Sequence, residues 1–362
     1  MNTAQGGGLS GHVRRVSSVW ESVRSHEWWE FKIPPLLATA YVTALVLHIP
    51  LWQLWPLLLL VILALLPGAA YVCVLNDITD LAEDRACGKK NRMEGKSRAF
   101  QALMLTACIL PGIGMACLFR HDTVTLPLYL ATWLAFTLYS VPPIRLKTRG
   151  IGGVLMDASG SHLLPTLWTC TLMAEATGHA IPMQLLATLG VWALMLGLRG
   201  ILWHQLYDRD NDQRGHVATF AAGHHPQSIR RFVAWVAFPI EMTGLLLILI
   251  QSGTMWAGAM LGLYLVCEWM NYRFIDIDII LVQPTKRYRI IFAEYYQLQY
   301  PFTFLFALMQ ESSGVWLLIA AQIVLFPHCF RVFVTHLRFI VRQKFAPALR
   351  SRLRLLRRGN VS

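Results

Sequence analysis

Charged side chains are scarce in this sequence. Asp, Glu, Lys and Arg together supply 14% of its 362 residues, too few to solvate the surface of a water-soluble domain of this length. Acids are the scarcer sign, with 20 Asp and Glu against 32 Lys and Arg, so any place where several acids gather carries information. The seven cysteines include no pair at CxxC spacing, which removes the zinc and dithiol motifs read from that pattern. Most of them fall inside apolar segments, where a thiol serves as a small hydrophobe. No apolar stretch precedes Ile33, and the opening residues are polar and basic, with Gly6, Gly7, Gly8, Arg14 and Arg15. That opening lacks the form of a secretory signal, so the N-terminus is expected in the cytoplasm.

What the chain has in quantity is hydrocarbon. It is 55% hydrophobic, with a mean hydropathy of +0.46, and an apolar excess of this size must face lipid. A bilayer core about 30 Å thick needs roughly 20 mostly apolar helical residues. Such stretches recur near 33 to 52, 54 to 76, 99 to 119, 123 to 141, 152 to 174, 181 to 203, 230 to 251, 254 to 272, 290 to 310 and 314 to 336. The expectation is an all-α polytopic bundle of nine to ten spans. The weakest stretch is Tyr272 to Ile291, where Asp276 and Asp278 interrupt an apolar run and a re-entrant or interfacial piece is an alternative.

The net charge of +12 does not point to nucleic acid, because the bases fall in gaps between apolar runs and in the C-terminal tail, where anionic headgroups attract them. The gaps alternate in charge. One set holds Arg85, Lys89, Lys90, Arg92, Lys96 and Arg98, then Arg145, Lys147 and Arg149, then Arg209, Arg214, Arg230 and Arg231, then Arg273, Lys286, Arg287 and Arg289; the other holds little beyond Arg120. By the positive-inside rule the first set is cytoplasmic, which places both termini inside a plasma or inner membrane and requires an even number of spans. After His336 the tail is basic and amphipathic, from Arg338 and Arg342 to Arg357 and Arg358, suited either to the inner leaflet surface or to a disordered arm.

Two acidic clusters fall at ends of spans on the basic side. In NDITDLAED, Asn76, Asp80 and Asp84 sit at i, i+4 and i+8, so a continuing helix stacks their oxygens on one face, with Asp77 beside it. In HQLYDRDNDQRG, Asp208 and Asp212 share a face and Asp210 points elsewhere. Carboxylates stacked in this way repel, and hard oxygen donors favour Mg2+ or Ca2+ over transition metals. The competing reading is a solvated helix end paired to nearby arginines. It fits poorly twice over, because the C-terminal end of a helix is electronegative and disfavours acids.

NDITDLAED resembles the NDxxDxxxD motif of the UbiA superfamily of intramembrane prenyltransferases. Asp208 to Asp212 resembles that family's second DxxxD motif, and YSVPPIRLK, from Tyr139 to Lys147, is similar to its YSxPPxRxK loop. The resemblance covers about residues 25 to 285. It implies a helical bundle around a central cavity, in which Asn76, Asp80 and Asp84 on one side, and Asp208 and Asp212 on the other, hold Mg2+ against an isoprenoid diphosphate. Asp77 matches the metal motif as well. Arg145 and Lys147 match the family's basic loop, whereas Arg92 is followed by Met93 where the family often has an Arg-Pro pair.

Independently of the family, breaking an allylic C–O bond leaves a highly charged diphosphate that cations stabilise. Arg85, Lys89, Lys90, Arg92, Arg145 and Lys147 are the available bases. The carbocation fragment needs water-excluding π faces, for which Tyr139, Trp168, Trp192, Trp203 and Tyr207 are candidates, although aromatic belts use the same residues. His204 is a base or a polar helix end. Glu241, Glu268 and Glu294 are costly inside a membrane and mark acceptor recognition or helix-to-helix bonding.

The expected activity is Mg2+-dependent transfer of a prenyl group from a polyprenyl diphosphate to a small-molecule or lipid acceptor. The alternatives are terpene cyclisation on the same fold, phosphoribosyl transfer to a polyprenyl phosphate, and transport. Membrane lipids are expected partners, and oligomer formation is left open. The expected organisation is an N-terminal segment at 1–32, a catalytic bundle at 33–312, an added helix at 313–336 and a basic tail at 337–362.

Overall fold

The computed structural model describes residues 23–275 and 277–342. Asp276, the first 22 residues and the basic tail from residue 343 onward lie outside the described residues. The fold is helical almost throughout, because lipid offers backbone groups no partner and a helix satisfies them within one segment. In chain order the helices are α1 (Ser25–Val46), α2 (Leu51–Thr79), α3 (Leu81–Ala86), α4 (Arg98–Leu118), α5 (Thr125–Ser140), α6 (Ile151–Ala158), α7 (Leu164–Thr177), α8 (Met183–Tyr207) and α9 (Arg209–Arg214). They continue with α10 (Phe220–Gly223), α11 (Pro226–Phe232), α12 (Phe238–Gln251), α13 (Trp256–Ile275), α14 (Tyr300–Glu311), α15 (Trp316–Leu325) and α16 (Pro327–Ile340).

Leu51–Thr79, Arg98–Leu118, Met183–Tyr207 and the joined Pro226–Gln251 are each long and apolar enough to cross a membrane. The other expected spans are helices that are shorter, more polar or interrupted. Three π-turns fall within or lead into the expected spans: Ser159–Leu163 joins α6 to α7, Val233–Ala237 joins α11 to α12 within Pro226–Gln251, and Tyr295–Gln299 leads into α14.

One expectation changes. The tenth span, placed at 314 to 336, is broken: helical structure stops at Leu325, and the chain turns by 79° into α16. The reason is local: Phe326 leaves helical geometry (φ −126°, ψ 61°) and Pro327 has no N–H to continue the ladder. Helix α15 is tied to α1 by two hydrogen bonds, Tyr41 donating to Gln322 Oε1 at 3.1 Å and Trp29 Nε1 to the Leu325 carbonyl at 2.7 Å. The ambiguous stretch after α13 is a loop bearing a short parallel pair, β1 (Asp278–Ile280) and β2 (Tyr288–Ile290), with Asp278 opposite Tyr288 and Ile280 opposite Ile290.

The helices close into one bundle. Helix α1 packs on α7 and α14, α2 on α4 and α5, α5 on α7, α8 on α6 and α12, and α13 on α14. Gly197 lets α8 approach α6 closely: a Cβ there would lie 2.7 Å from the Ala158 carbonyl oxygen and 2.9 Å from its Cα. Glu241 finds its partner across the widest contact. Arg199 of α8 donates to it through Nε and Nη2, both at 2.6 Å, and Tyr296 adds a bond at 2.8 Å. Glu268 and Glu294 both meet Arg289 of β2, so Glu241 binds helix to helix while the other two acids flagged in the sequence hold the β2 loop.

Candidate active site

Both acidic clusters keep helical spacing although their helices bend. Helix α2 stops at Thr79, yet Asp80 N donates to the Asn76 carbonyl and Asp84 N to the Asp80 carbonyl, both at 2.9 Å. At the end of α8 the same bonds recur, Asp208 N to His204 and Asp212 N to Asp208, again at 2.9 Å. Each cluster therefore presents its i, i+4 oxygens from one side of a continuous helical path.

The loop after α3 brings the two clusters together. Lys89 Nζ reaches across to Asp208 Oδ2 at 2.7 Å. Burial works against its charge, but Asp208, Asp84 and Asp212 together hold the ammonium above its ordinary range. Two residues on, Asn91 Nδ2 donates to Asp84 Oδ2 and to the Asp77 carbonyl, both at 2.8 Å. Cys87 Sγ, on the same loop, donates to the Asn211 carbonyl at 3.2 Å. One segment thus touches both acidic ends.

The Tyr139 to Lys147 stretch closes the other flank. Arg145 adopts a left-handed backbone (φ 39°), uncommon outside glycine, and from there bonds Asp80 at 3.1 Å and both Glu83 oxygens at 2.5 and 2.7 Å. Lys147 bonds Asp80 and lies 3.5 Å from Glu83. Ser140 donates to Asn76 Oδ1. Asp77 is buried and faces Arg24 at 3.4 Å. Thr219 donates to Asp212 Oδ2 at 2.9 Å, while Asp210 is exposed, as its helical position requires.

Other candidates separate. Arg85 pairs with Glu94 at 3.0 Å on the exposed surface, turned away from the carboxylates, and Lys90 is exposed, while Arg92 is half-buried. Tyr139 is half-buried and within range of the charges of Asp80 and Asp212 together. Trp203 stacks on Tyr207 at 5.8 Å, and Tyr207 is 60% exposed. Trp168 and Trp192 do not line the site. Trp168 packs with Phe119 and Tyr129, and Trp192 with Tyr296 and Tyr300, since large rings inside a bundle gain most from mutual packing.

Glu83, Asn91, Ser140 and Thr219 went unnoticed in the sequence. Asn91 had one signal, a neutral hydrogen-bonding side chain set within a run of bases.

Among the described residues no three of His, Cys, Asp and Glu converge as a ready-made metal cage. A cation that keeps several waters and bridges one or two carboxylates to phosphate needs no such cage. The donor chemistry suits it: the ligand atoms on offer are amide and carboxylate oxygens. Burial raises the Asp212 carboxyl above its ordinary range, and the adjacent Asp208 adds to this against the bond from Thr219, so the charged form of Asp212 is disfavoured, a cost that a divalent ion would offset.

No curated protein matches the chain. Among solved structures, a UbiA homologue from Archaeoglobus fulgidus bound to GPP and Mg2+ superposes with a TM-score of 0.55 at 14% identity, covering 86% of this chain and 99% of the other. A UbiA homologue from the same organism bound to DMAPP and Mg2+ gives 0.55 at 12% identity, covering 79% and 96%. At such identities the likeness is one of fold. The model of the UbiA prenyltransferase family matches residues 36–279, from α1 to β1 and through both acidic ends and the Arg145 loop. With that match over well more than half its length, the chain belongs to the UbiA prenyltransferase family.

Proposed function

We propose that this integral membrane protein is a Mg2+-dependent prenyltransferase that moves a prenyl group from a polyprenyl diphosphate to a lipid-like or aromatic acceptor. What carries the proposal is the loop after α3, whose Lys89 joins the first acidic end to Asp208 of the second. Asn76, Asp80 and Asp84 on one side, and Asp208 and Asp212 on the other, would hold Mg2+. Asp77, turned toward Arg24, supports the first set. Bound there, Mg2+ supplies neutralising charge to the diphosphate as the allylic C–O bond breaks.

Lys89, Arg145 and Lys147, which border the two acidic ends, bind the diphosphate oxygens, with Arg92 in the same basic loop as Lys89. Tyr139 offers a π face beside the bond that breaks. The GPP and DMAPP complexes of the Archaeoglobus fulgidus homologue support a diphosphate donor here. The pocket opens to the cytoplasm with both termini on that side, by the distribution of bases. Catalysis belongs to residues 33–312, and helix α15 after them is an addition that braces α1.

The test is to incubate purified protein and Mg2+ with isoprenyl diphosphates of several chain lengths, with and without lipid extract. Labelled prenyl adduct that requires extract and disappears with EDTA is the expected result. Diphosphate release that ignores the extract would mean cyclisation, and donor left intact would refute the proposal.

A further inference from the structure

Helix α3 ends at Ala86 and the chain folds straight back. Gly88 supplies a left-handed turn (φ 68°), a common way to close a helix, and Lys89 N bonds the Asp84 carbonyl at 2.8 Å. The returning segment lays Asn91 against Asp84, seven positions earlier in the sequence. Asn91 is 6% exposed and Met93 1%, so the loop is anchored in the bundle at these two residues, while Lys89 and Lys90 before them are exposed.

Three bonds, each 2.8 Å long, fix the Asn91 amide. Nδ2 donates to the Asp77 carbonyl and to Asp84 Oδ2, and Oδ1 accepts from Met93 N. A side-chain amide has two N–H donors, and this one uses both on the acidic end. Met93 N can only donate, so it must face the amide oxygen, and the amide cannot turn over. The Asp77 carbonyl lies in the last turn of α2, where carbonyls lack partners within their own helix. One side chain therefore ties the end of α2 to the carboxylate that completes the i, i+4, i+8 row.

The neutrality of Asn91 matters. Asp80 is met by cations, Arg145 and Lys147, which offset its charge. Among the described residues, the bond from Asn91 is the one side-chain hydrogen bond that Asp84 makes. An amide orients a carboxylate and leaves its charge for a metal ion. The lock also depends on the identity of residue 93. A proline there, as in the Arg-Pro pair that the family often has, would bring no N–H to hold Oδ1.

We propose that Asn91, locked by the Met93 N–H, is a positioning residue that holds the Asp84 carboxylate in one orientation and so sets the affinity for the Mg2+ that binds with diphosphate. This rests on the prenyl-transfer function above, in which Asp84 is a metal ligand. Hydrogen-bond partners behind a ligating group contribute about 10–100-fold in metal affinity.

The experiment titrates Mg2+ against the purified full-length protein and radiolabelled inorganic pyrophosphate, with thermal melting in detergent to confirm the fold of each variant. Asn91→Ala is expected to raise the Mg2+ concentration for half-maximal pyrophosphate binding by about 10–100-fold. At saturating Mg2+ its affinity for pyrophosphate should stay within about threefold of the parent, because the loss falls on the metal. Added to Asp84→Asn, the same substitution should shift the Mg2+ midpoint by less than about twofold, since it acts through the carboxylate already removed. Met93→Ala keeps the N–H and Met93→Pro removes it, so the proline variant should have a midpoint about 10-fold above that of the alanine variant.

An unchanged Mg2+ midpoint in Asn91→Ala overturns the assignment. So does an effect that adds in full to that of Asp84→Asn, or pyrophosphate binding that weakens equally at saturating Mg2+, as a merely structural role would require. Equal midpoints in the two Met93 variants overturn the role of the N–H. If the parent protein binds no pyrophosphate at any Mg2+ concentration, the prenyl-transfer function fails and this assignment fails with it.

Discussion

Replacing Glu241 with Gln strands a charge inside the bundle. Arg199 and Glu241 are 3% and 0% exposed at their side chains, and two bonds at 2.6 Å join them. After Glu241→Gln, Arg199 keeps the Ile291 carbonyl at 3.1 Å and the Phe238 ring at 5.6 Å, too little for a guanidinium out of water. Breaking a buried pair in this way costs about 3–5 kcal/mol. At about 2 °C per kcal/mol for a large domain, the midpoint of heat denaturation should drop by about 6–10 °C.

The paired replacement Arg199→Met with Glu241→Met removes both charges and should recover most of that loss, because exchanging a buried ion pair for apolar side chains is often near neutral. Tryptophan fluorescence during heating in detergent, with size-exclusion chromatography to confirm dispersion, reads both variants. The reasoning is refuted if the single variant melts within about 2 °C of the parent. It is refuted equally if the double variant is no more stable than the single one, since coupled sites must depart from additivity.

Asp80→Asn and Asp208→Asn should each abolish prenyl transfer, by about 100-fold or more, while eluting as folded protein; near-normal turnover in either would remove that residue from the metal site. Gly197→Val places a Cβ 2.7 Å from the Ala158 carbonyl oxygen and should destabilise the bundle by at least about 1–3 kcal/mol. Gly200→Ala, with nothing within 4 Å of the new Cβ, serves as its control in the same melt. Ending the chain before Ser313 removes Gln322 and the Leu325 carbonyl from Tyr41 and Trp29 and should lower thermal stability; transfer measured at low temperature then tells whether the addition matters to chemistry.

The helical bundle and its acidic ends were legible because carboxylates are so rare in this chain that Asp80 and Asp84, in register with Asn76, stand out. The Arg145 and Lys147 flank was legible for the same reason, as bases at the end of an apolar run. Glu83, Ser140, Asn91 and Thr219 hold functional side chains through hydrogen bonds, and no periodicity marks such a role. Arg85 shows the converse limit: position in a basic loop says nothing about which way a long side chain turns. The end of α15 at Leu325 was hidden because Pro327 sits within a run whose hydropathy continues past it.

The three π-turns bear on how this sequence can drift. Each holds one residue more than a regular helix, so deleting a single amino acid at Ser159–Leu163, Val233–Ala237 or Tyr295–Gln299 would restore ordinary winding. It would also rotate the helix beyond by about 100° relative to the helix before. Insertions and deletions of one codon at these places act as dials, re-aiming a whole face while the length across the bilayer hardly changes. Distant cousins aligned to this chain should show isolated one-residue gaps there.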